Sequence, residues 1–356
     1  MSGTLLANEA EVRTHAGAAL ESEVARLAGY VRDAGAVALS RDPAWLLVLR
    51  DGLGHVPYCL EAVEGGRTRG VLALAFVHSW LFGRFLVGLP YLNSGGVVAD
   101  DDGATRLLIG EARRLADELD VKYLELRHER VLEHPAITDT VNGKVHMRLP
   151  LPRTAGQLWD GFAAKVRNQV RKGRKNALEA AWGGEELLPE FYAVFARNMR
   201  DLGTPVYGRR LFQCVLRRFP DRAELCVVRA GKQPVAAALL LHGKGVTEVP
   251  SASSLRAFNP TSANMLLYWH LLQRAVERGQ TVFDFGRSTP EGGTFRFKKQ
   301  WGALPVLAEW QYYRRRGEVS AVRPENPRYQ RLIRLWQKLP VCVTRLLGPA
   351  IVRGIP

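Results

Sequence analysis

Thr281-Val282-Phe283-Asp284-Phe285-Gly286-Arg287-Ser288 completes a pattern that the chain carries twice, once in each half. In the second half it closes a series of strand Pro234–His242, strand Gly245–Ser251, a loop at Arg256–Pro260 and a helix over Ser262–Arg278. The first half repeats the order with strand Val71–Val77, strand Phe85–Leu92, a Gly/Asp loop, helix Thr105–Leu119 and strand Lys122–Arg127. Apolar positions at period two and then at helical spacing predict an α/β chain of two tandem lobes, each a mixed sheet flanked by helices. Paired lobes leave a cleft, and ligands favour clefts. Only the second copy runs on into Phe297-Lys298-Lys299-Gln300-Trp301-Gly302, so the second lobe is expected to carry the chemistry.

With 356 residues, 47% hydrophobic and 24% charged, the chain is long enough for two domains. Leu149-Pro150-Leu151-Pro152 reads as the linker, giving lobes at 1–150 and 151–316 and a basic, amphipathic helical tail at 317–356. Helices are also expected over Glu9–Ala34, Ala155–Ala181, Glu186–Arg200 and Gly208–Phe219, a strand over Pro57–Val63, and a tail helix over Tyr329–Leu347. A net charge of +15 favours an anionic partner, such as a nucleic acid, a phosphorylated carrier or an acidic membrane surface. The four cysteines are scattered, which suits a reduced cytoplasmic protein. No signal peptide is read in Met1–Glu23, and no apolar run is long enough to span a membrane.

Lys165–Lys175 holds six basic residues in eleven, with Phe162, Val166, Val170, Gly173 and Ala177 on the opposite arc of the helix. One face should dock on the lobe while Arg167, Arg171 and their neighbours offer a positive field to phosphates. The helix over Ser262–Arg278 buries Met265, Trp269, Leu272 and Val276. Its N-terminus follows Arg256 and Asn259, where free N–H groups and a cation can meet an anion. GNAT-type acetyltransferases carry Arg/Gln-x-x-Gly-x-Gly/Ala at this junction; Arg256-Ala257-Phe258-Asn259-Pro260-Thr261 has no glycine. Coenzyme A binding in that mode is therefore not expected, and no cofactor is assigned.

Asp284 ends a buried strand and should point to the cleft, with Arg287 and Ser288 on the loop beyond, where α/β folds bind ligands. Pro290–Thr294 reads as a flexible loop, after which Lys298 falls between Phe297 and Trp301. Tyr91, Asn93, Gly95 and Gly96 form a loop of the first lobe that is expected to be the opposing wall, its glycines allowing close backbone approach. The histidines lack metal-ligand spacing, so no metal site is expected. No nucleophile elbow is present.

Ser79–Gly83 through Pro90–Gly96, the Lys165–Lys175 helix, Phe283–Ser288 and Phe297–Gly302, in this order, resemble the FemA/FemB/FemX-like aminoacyltransferases. The resemblance is greatest to the FemAB-like proteins associated with exosortase (PEP-CTERM) systems. It implies two GNAT-like lobes and transfer of an aminoacyl or acyl group to an amine of a cell-envelope or polysaccharide precursor. The donor would be a co-substrate, aminoacyl-tRNA or an acyl thioester. It also implies that Lys298 sits near the acyl carbonyl, stabilising an oxyanion or phosphate. Asp284 would orient the attacking amine or accept its proton, and Arg167, Arg171 and Arg256 would clamp an anionic glycan precursor. Gly88 stands where related chains prefer serine, Gly173 where alanine is usual, and the coiled-coil arm of some members is missing. Two other readings stay open: a GNAT-like N-acyltransferase fed by acyl-CoA or acyl carrier protein, and a non-catalytic binder of nucleic acid or phospho-glycan. In the tail, Leu332, Ile333, Leu335, Trp336 and Leu339 alternate with Arg331, Arg334 and Lys338, as in interfacial helices. Peripheral contact of 329–347 with a membrane is one expectation, and packing on the second lobe is the other.

Overall fold

Period-two burial organises the computed structural model, which describes residues 10–35, 38–317 and 327–355. The first lobe contains β1 (Glu11–Ala16), α1 (Gly17–Asp33), α2 (Trp45–Leu53), β2 (Val56–Glu64), β3 (Arg67–Ser79), β4 (Gly83–Val87), β5 (Val98–Ala99), α3 (Asp102–Glu118), β6 (Tyr123–His128) and β7 (Asp139–Val141). Then come β8 (Val145–Pro150), α4 (Ala155–Gly161), α5 (Ala164–Lys175), β9 (Leu178–Gly183), α6 (Leu188–Leu202), α7 (Arg209–Arg218), β10 (Ala223–Ala230), β11 (Gln233–His242) and β12 (Val246–Ser254). The chain continues with α8 (Ala263–Glu277), β13 (Val282–Ser288), α9 (Gly293–Lys299), β14 (Leu304–Leu307), β15 (Glu309–Arg314), α10 (Pro327–Lys338) and α11 (Val341–Val352).

One sheet runs β1-β2-β3-β4-β6-β15-β7 with β5 paired to β3, and the other runs β14-β8-β13-β12-β11-β10-β9. The sheets do not divide at residue 150. β8 runs into the expected linker at Leu149-Pro150 and pairs with β13 and β14 of the second sheet, while β15 returns to pair with β6 and β7 of the first. Each lobe thus borrows a strand from across the expected boundary. In β11, Ala237, Leu239 and Leu241 face the core between the lobes, and Ala236, Ala238 and Leu240 face α5 and α8. The inter-lobe core also takes Leu27 and Val31 of α1, Trp45 and Leu49 of α2, and Phe191, Phe195, Phe212 and Val215 of α6 and α7. Burial of this continuous apolar volume welds the lobes together.

Several elements differ from expectation. Glu11–Ala16 is a strand because it can pair with β2; Glu9 lies outside the described residues. The helix expected over Ala155–Ala181 breaks at Phe162, whose extended backbone places its ring in the core, and ends before Ala177, at φ +52°. Strand Phe85–Leu92 stops at Val87, the Pro290–Thr294 loop already enters α9 at Gly293, and the tail helix divides at Leu339-Pro340. Residues 318–326 and 356 of the tail lie outside the described residues.

Candidate active site

Two parallel strand pairs give the fold its openings. In the second lobe, β12 and β13 pair only over Val246–Glu248 and Val282–Asp284, although both continue beyond. They part at the rung that holds Glu248 and Asp284. In the first lobe, β4 and β6 pair over Phe85–Val87 and Tyr123–Glu125. There the chain's own loop fills the gap: Gly88 N–H donates to Glu125 O (2.8 Å) and Gly95 N–H to Arg127 O (3.1 Å). A Cβ on Gly88 would lie 1.8 Å from Gly95 O, and one on Gly96 2.1 Å from His128 Cδ2. The close approach expected of Gly95 and Gly96 is therefore to the protein itself. Leu89 (φ +47°) and Tyr91 (φ +69°) hold the loop in a left-handed conformation that costs about 1–3 kcal/mol per residue.

Asp284 is buried and engaged on both oxygens: Gly286 N–H donates to Oδ1 (2.7 Å) and Arg148 Nε to Oδ2 (2.9 Å). Arg148 also donates both terminal nitrogens to Glu129 of the first lobe, at 2.8 and 2.6 Å, and Ser94 Oγ donates to Glu129 Oε1 at 3.0 Å. Burial opposes ionisation of Asp284, but His146 and Arg148 hold its carboxyl below the usual range. Burial likewise opposes ionisation of Glu129, and Arg148 and Arg41 hold it at about 2. Asp284 is thus a standing anion that orients Arg148 and the Gly286 turn, rather than a proton acceptor. His146 Nδ1, 3.6 Å from Asp284 Oδ2, is beyond hydrogen-bond range. Among the described residues, both His146 ring nitrogens and Ser288 Oγ are buried without hydrogen-bond partners. Such orphans are uncommon in folded proteins.

Glu248, the neighbour of Asp284 across the sheet, behaves differently. Ser40 of the first lobe donates its N–H (2.9 Å) and Oγ–H (2.6 Å) to it. Burial, followed by the repulsion of Asp284, nevertheless raises its carboxyl to about 7. Lys298 is also buried, with Nζ donating to the carbonyls of Gly286 (3.0 Å) and Arg287 (2.9 Å). Desolvation lowers its ammonium to about 8 against the pull of Asp284. A Cβ on Gly286 would come within 3.0 Å of Asn93 Nδ2, so the first-lobe loop does face this turn. Arg287 stacks on Trp310 of β15, 3.5 Å from the ring centroid. Tyr91 is held further back, with its hydroxyl donating to Arg353 O and lying 2.8 Å from His55 Nε2.

The structure therefore gathers Lys298, Asp284, Arg287, Ser288, Asn93 and the Gly95-Gly96 loop at one inter-lobe opening, with Tyr91 behind. Arg167, Arg171, Arg256 and Asn259 lie around the N-terminus of α8, where Ser262 Oγ donates to Gln169 Oε1 of α5 (2.7 Å). Val166, Val170 and Gly173 of α5 are buried as expected. Arg171 and Arg174 cover Trp159, Arg167 donates to Asp160 O, and Arg256 donates to Asp201 O. Trp301 is a core residue, 1% exposed and edge-on to Phe162, and is not placed to touch a ligand. Two cavities, one beside Trp80 and Lys122 and one beside Arg26 and Glu61, lie away from this opening. Sequence reading missed Glu248, Arg148, Glu129, Ser94 and Ser40. The local signal was an acidic residue, Glu248, between Thr247 and Val249 in the buried stretch of β12.

Residues 164–299 match a family model described as acetyltransferase (GNAT) domain. The fold is similar to that of FemX, with 15% identity over 87% of this chain and 98% of FemX and a TM-score of 0.66. A tandem GNAT protein from the clavulanic acid biosynthesis pathway gives 14% identity, 86% and 100% coverage and a TM-score of 0.53. The C-terminal domain of a proposed lysylphosphatidylglycerol synthetase from Agrobacterium fabrum gives 11% identity, 83% and 93% coverage and a TM-score of 0.55. No curated protein sequence matches the chain. The three structural likenesses speak to the tandem GNAT-like fold, and the acetyltransferase (GNAT) domain match within that fold makes this protein an acyltransferase.

Proposed function

We propose that the protein transfers an aminoacyl group, or a simpler acyl group, to an amine of an anionic cell-envelope or polysaccharide precursor in the cytoplasm. The observation that carries this reading is the asymmetry of the two parallel strand pairs: the first is plugged by its own loop, and the second parts beside the buried side chains of Lys298, Asp284 and Glu248. The amine nitrogen attacks the acyl carbonyl carbon, forming the amide bond as the bond to the donor's oxygen or sulfur breaks. Lys298, with two N–H groups on backbone carbonyls, directs its third to the developing oxyanion. Glu248, with its carboxyl near neutrality, takes the proton from the amine and returns it to the leaving atom. The α5 cations and the N-terminus of α8 hold phosphates of donor or acceptor. The likeness to FemX and to the proposed lysylphosphatidylglycerol synthetase supports aminoacyl over acetyl transfer. The link to exosortase systems rests on the sequence resemblance alone.

The test is a mass shift on an amine acceptor when the protein is given charged tRNA or an acyl thioester. Which donor is consumed separates aminoacyl transfer from transfer out of acyl-CoA or acyl carrier protein. Salt-dependent binding of nucleic acid or phospho-glycan with no turnover of any donor would instead identify a binding module.

A further inference from the structure

The tail settles one question and opens another. α10 and α11 pack on the second lobe: Gln337 Nε2 donates to Asp201 O, Arg200 to Leu339 O, and Ile333 sits against Gly203. Gly348 and Pro349 press on Val206 and Gly208. The end of the tail then crosses to the first lobe, where Gly354 meets Ser79 and Phe82 and Arg353 O accepts from Tyr91.

Among the described residues, this packing leaves apolar side chains on the outer side exposed. Leu332 and Leu335 on α10 and Leu346 on α11 are 61%, 59% and 79% exposed. Beside Gly354, the β3–β4 turn presents Trp80, 93% exposed, together with Leu81. The setting is basic: residues 330–355 contain Arg331, Arg334, Lys338, Arg345 and Arg353 and no acidic residue. Next to Trp80 a cavity of about 380 Å³ is lined by His78, Arg84, Lys122 and Arg316 against a single carboxylate, Asp120. Exposed leucines and a tryptophan among cations match the interface of an anionic bilayer, where apolar tips enter the headgroup layer and cations meet phosphates. A second copy of the chain in a two-fold contact would set these cations against one another.

We propose that the outer side of α10 and α11, together with the Trp80-Leu81 turn, docks on a membrane surface containing anionic phospholipid. This contact is independent of the transfer chemistry.

The experiment is co-sedimentation of the full chain with phosphatidylcholine vesicles, with and without a phosphatidylglycerol fraction. Removing the tail would strip contacts that hold α6, so point variants on exposed positions are used. The expected result is binding only to the phosphatidylglycerol vesicles, weakened by salt. Binding should fall about ten-fold or more in Leu346→Glu/Leu347→Glu and in Trp80→Ala, with thermal unfolding unchanged. Arg331→Glu/Arg334→Glu should abolish the preference for the anionic vesicles. Absence of binding, or binding indifferent to all three variants, overturns the proposal. So does self-association in sedimentation velocity that the leucine variants abolish while no vesicle is bound.

Discussion

Replacing Glu248 by glutamine isolates one buried carboxyl from every other titrating group in the protein. Its ordinary value of 4.5 is raised in the folded chain to about 7, first by burial and then by Asp284, against the opposing hydrogen bonds of Ser40. An acid raised by folding contributes stability that is complete below its ordinary value and is lost as pH rises through the folded value. The difference corresponds to about 3 kcal/mol, most of it lost between about pH 5 and pH 8. Glutamine keeps the shape and can still accept from Ser40, but it cannot ionise. Denaturant unfolding of both proteins at the two pH values therefore has a defined outcome. The glutamine variant should gain about 2–3 kcal/mol on the parent as pH rises across that window, because all other titrations cancel in the comparison. A pH-independent difference would refute the argument that Glu248 is a neutral acid held at the edge of ionisation, and with it the proton-acceptor role.

Lys298→Ala should lower turnover about 100-fold, as loss of one oxyanion donor does, with a smaller effect on donor binding; unchanged turnover would remove the lysine from the chemistry. Arg148→Met leaves Asp284 and Glu129 facing each other without their shared cation, and a loss of about 3 kcal/mol in denaturant unfolding is expected. Gly96→Ala drives a methyl into the His128 ring, which must give up Val97 N–H or Gln311; a loss of about 1–3 kcal/mol should appear as a lower Tm. Charge reversal at Lys172 and Lys175 should flatten the salt dependence of binding to an anionic acceptor without changing the unfolding transition, since both side chains are exposed.

Local periodicity made much of the fold legible. β11 alternates between two buried faces, α8 buries Met265, Trp269, Leu272 and Val276, and α5 turns its valines inward, so their patterns named them correctly. The duplication of these units likewise announced two lobes. Lys298 and Asp284 drew notice through the short segments that contain them, and both are buried at the inter-lobe opening. Trp301 drew the same notice and is core, because an aromatic beside a lysine packs inward as readily as it meets a ligand.

What the sequence by itself determined about this protein is the set of elements whose hydrophobic period is complete within a dozen residues, together with its basic character. What only the tertiary structure decided is pairing across long separations. The strand β8 ends in the Leu149–Pro152 stretch that reads as a linker, and β15 crosses to the other lobe. Arg148, Asp284 and Glu248 become one row of a site only because their strands align in register. Register depends on neighbours distant in the chain, so no window of sequence contains it. The plugging of one opening and not the other also depends on contacts between Gly88, Gly95 and β6 that exist only once the lobe has closed around them.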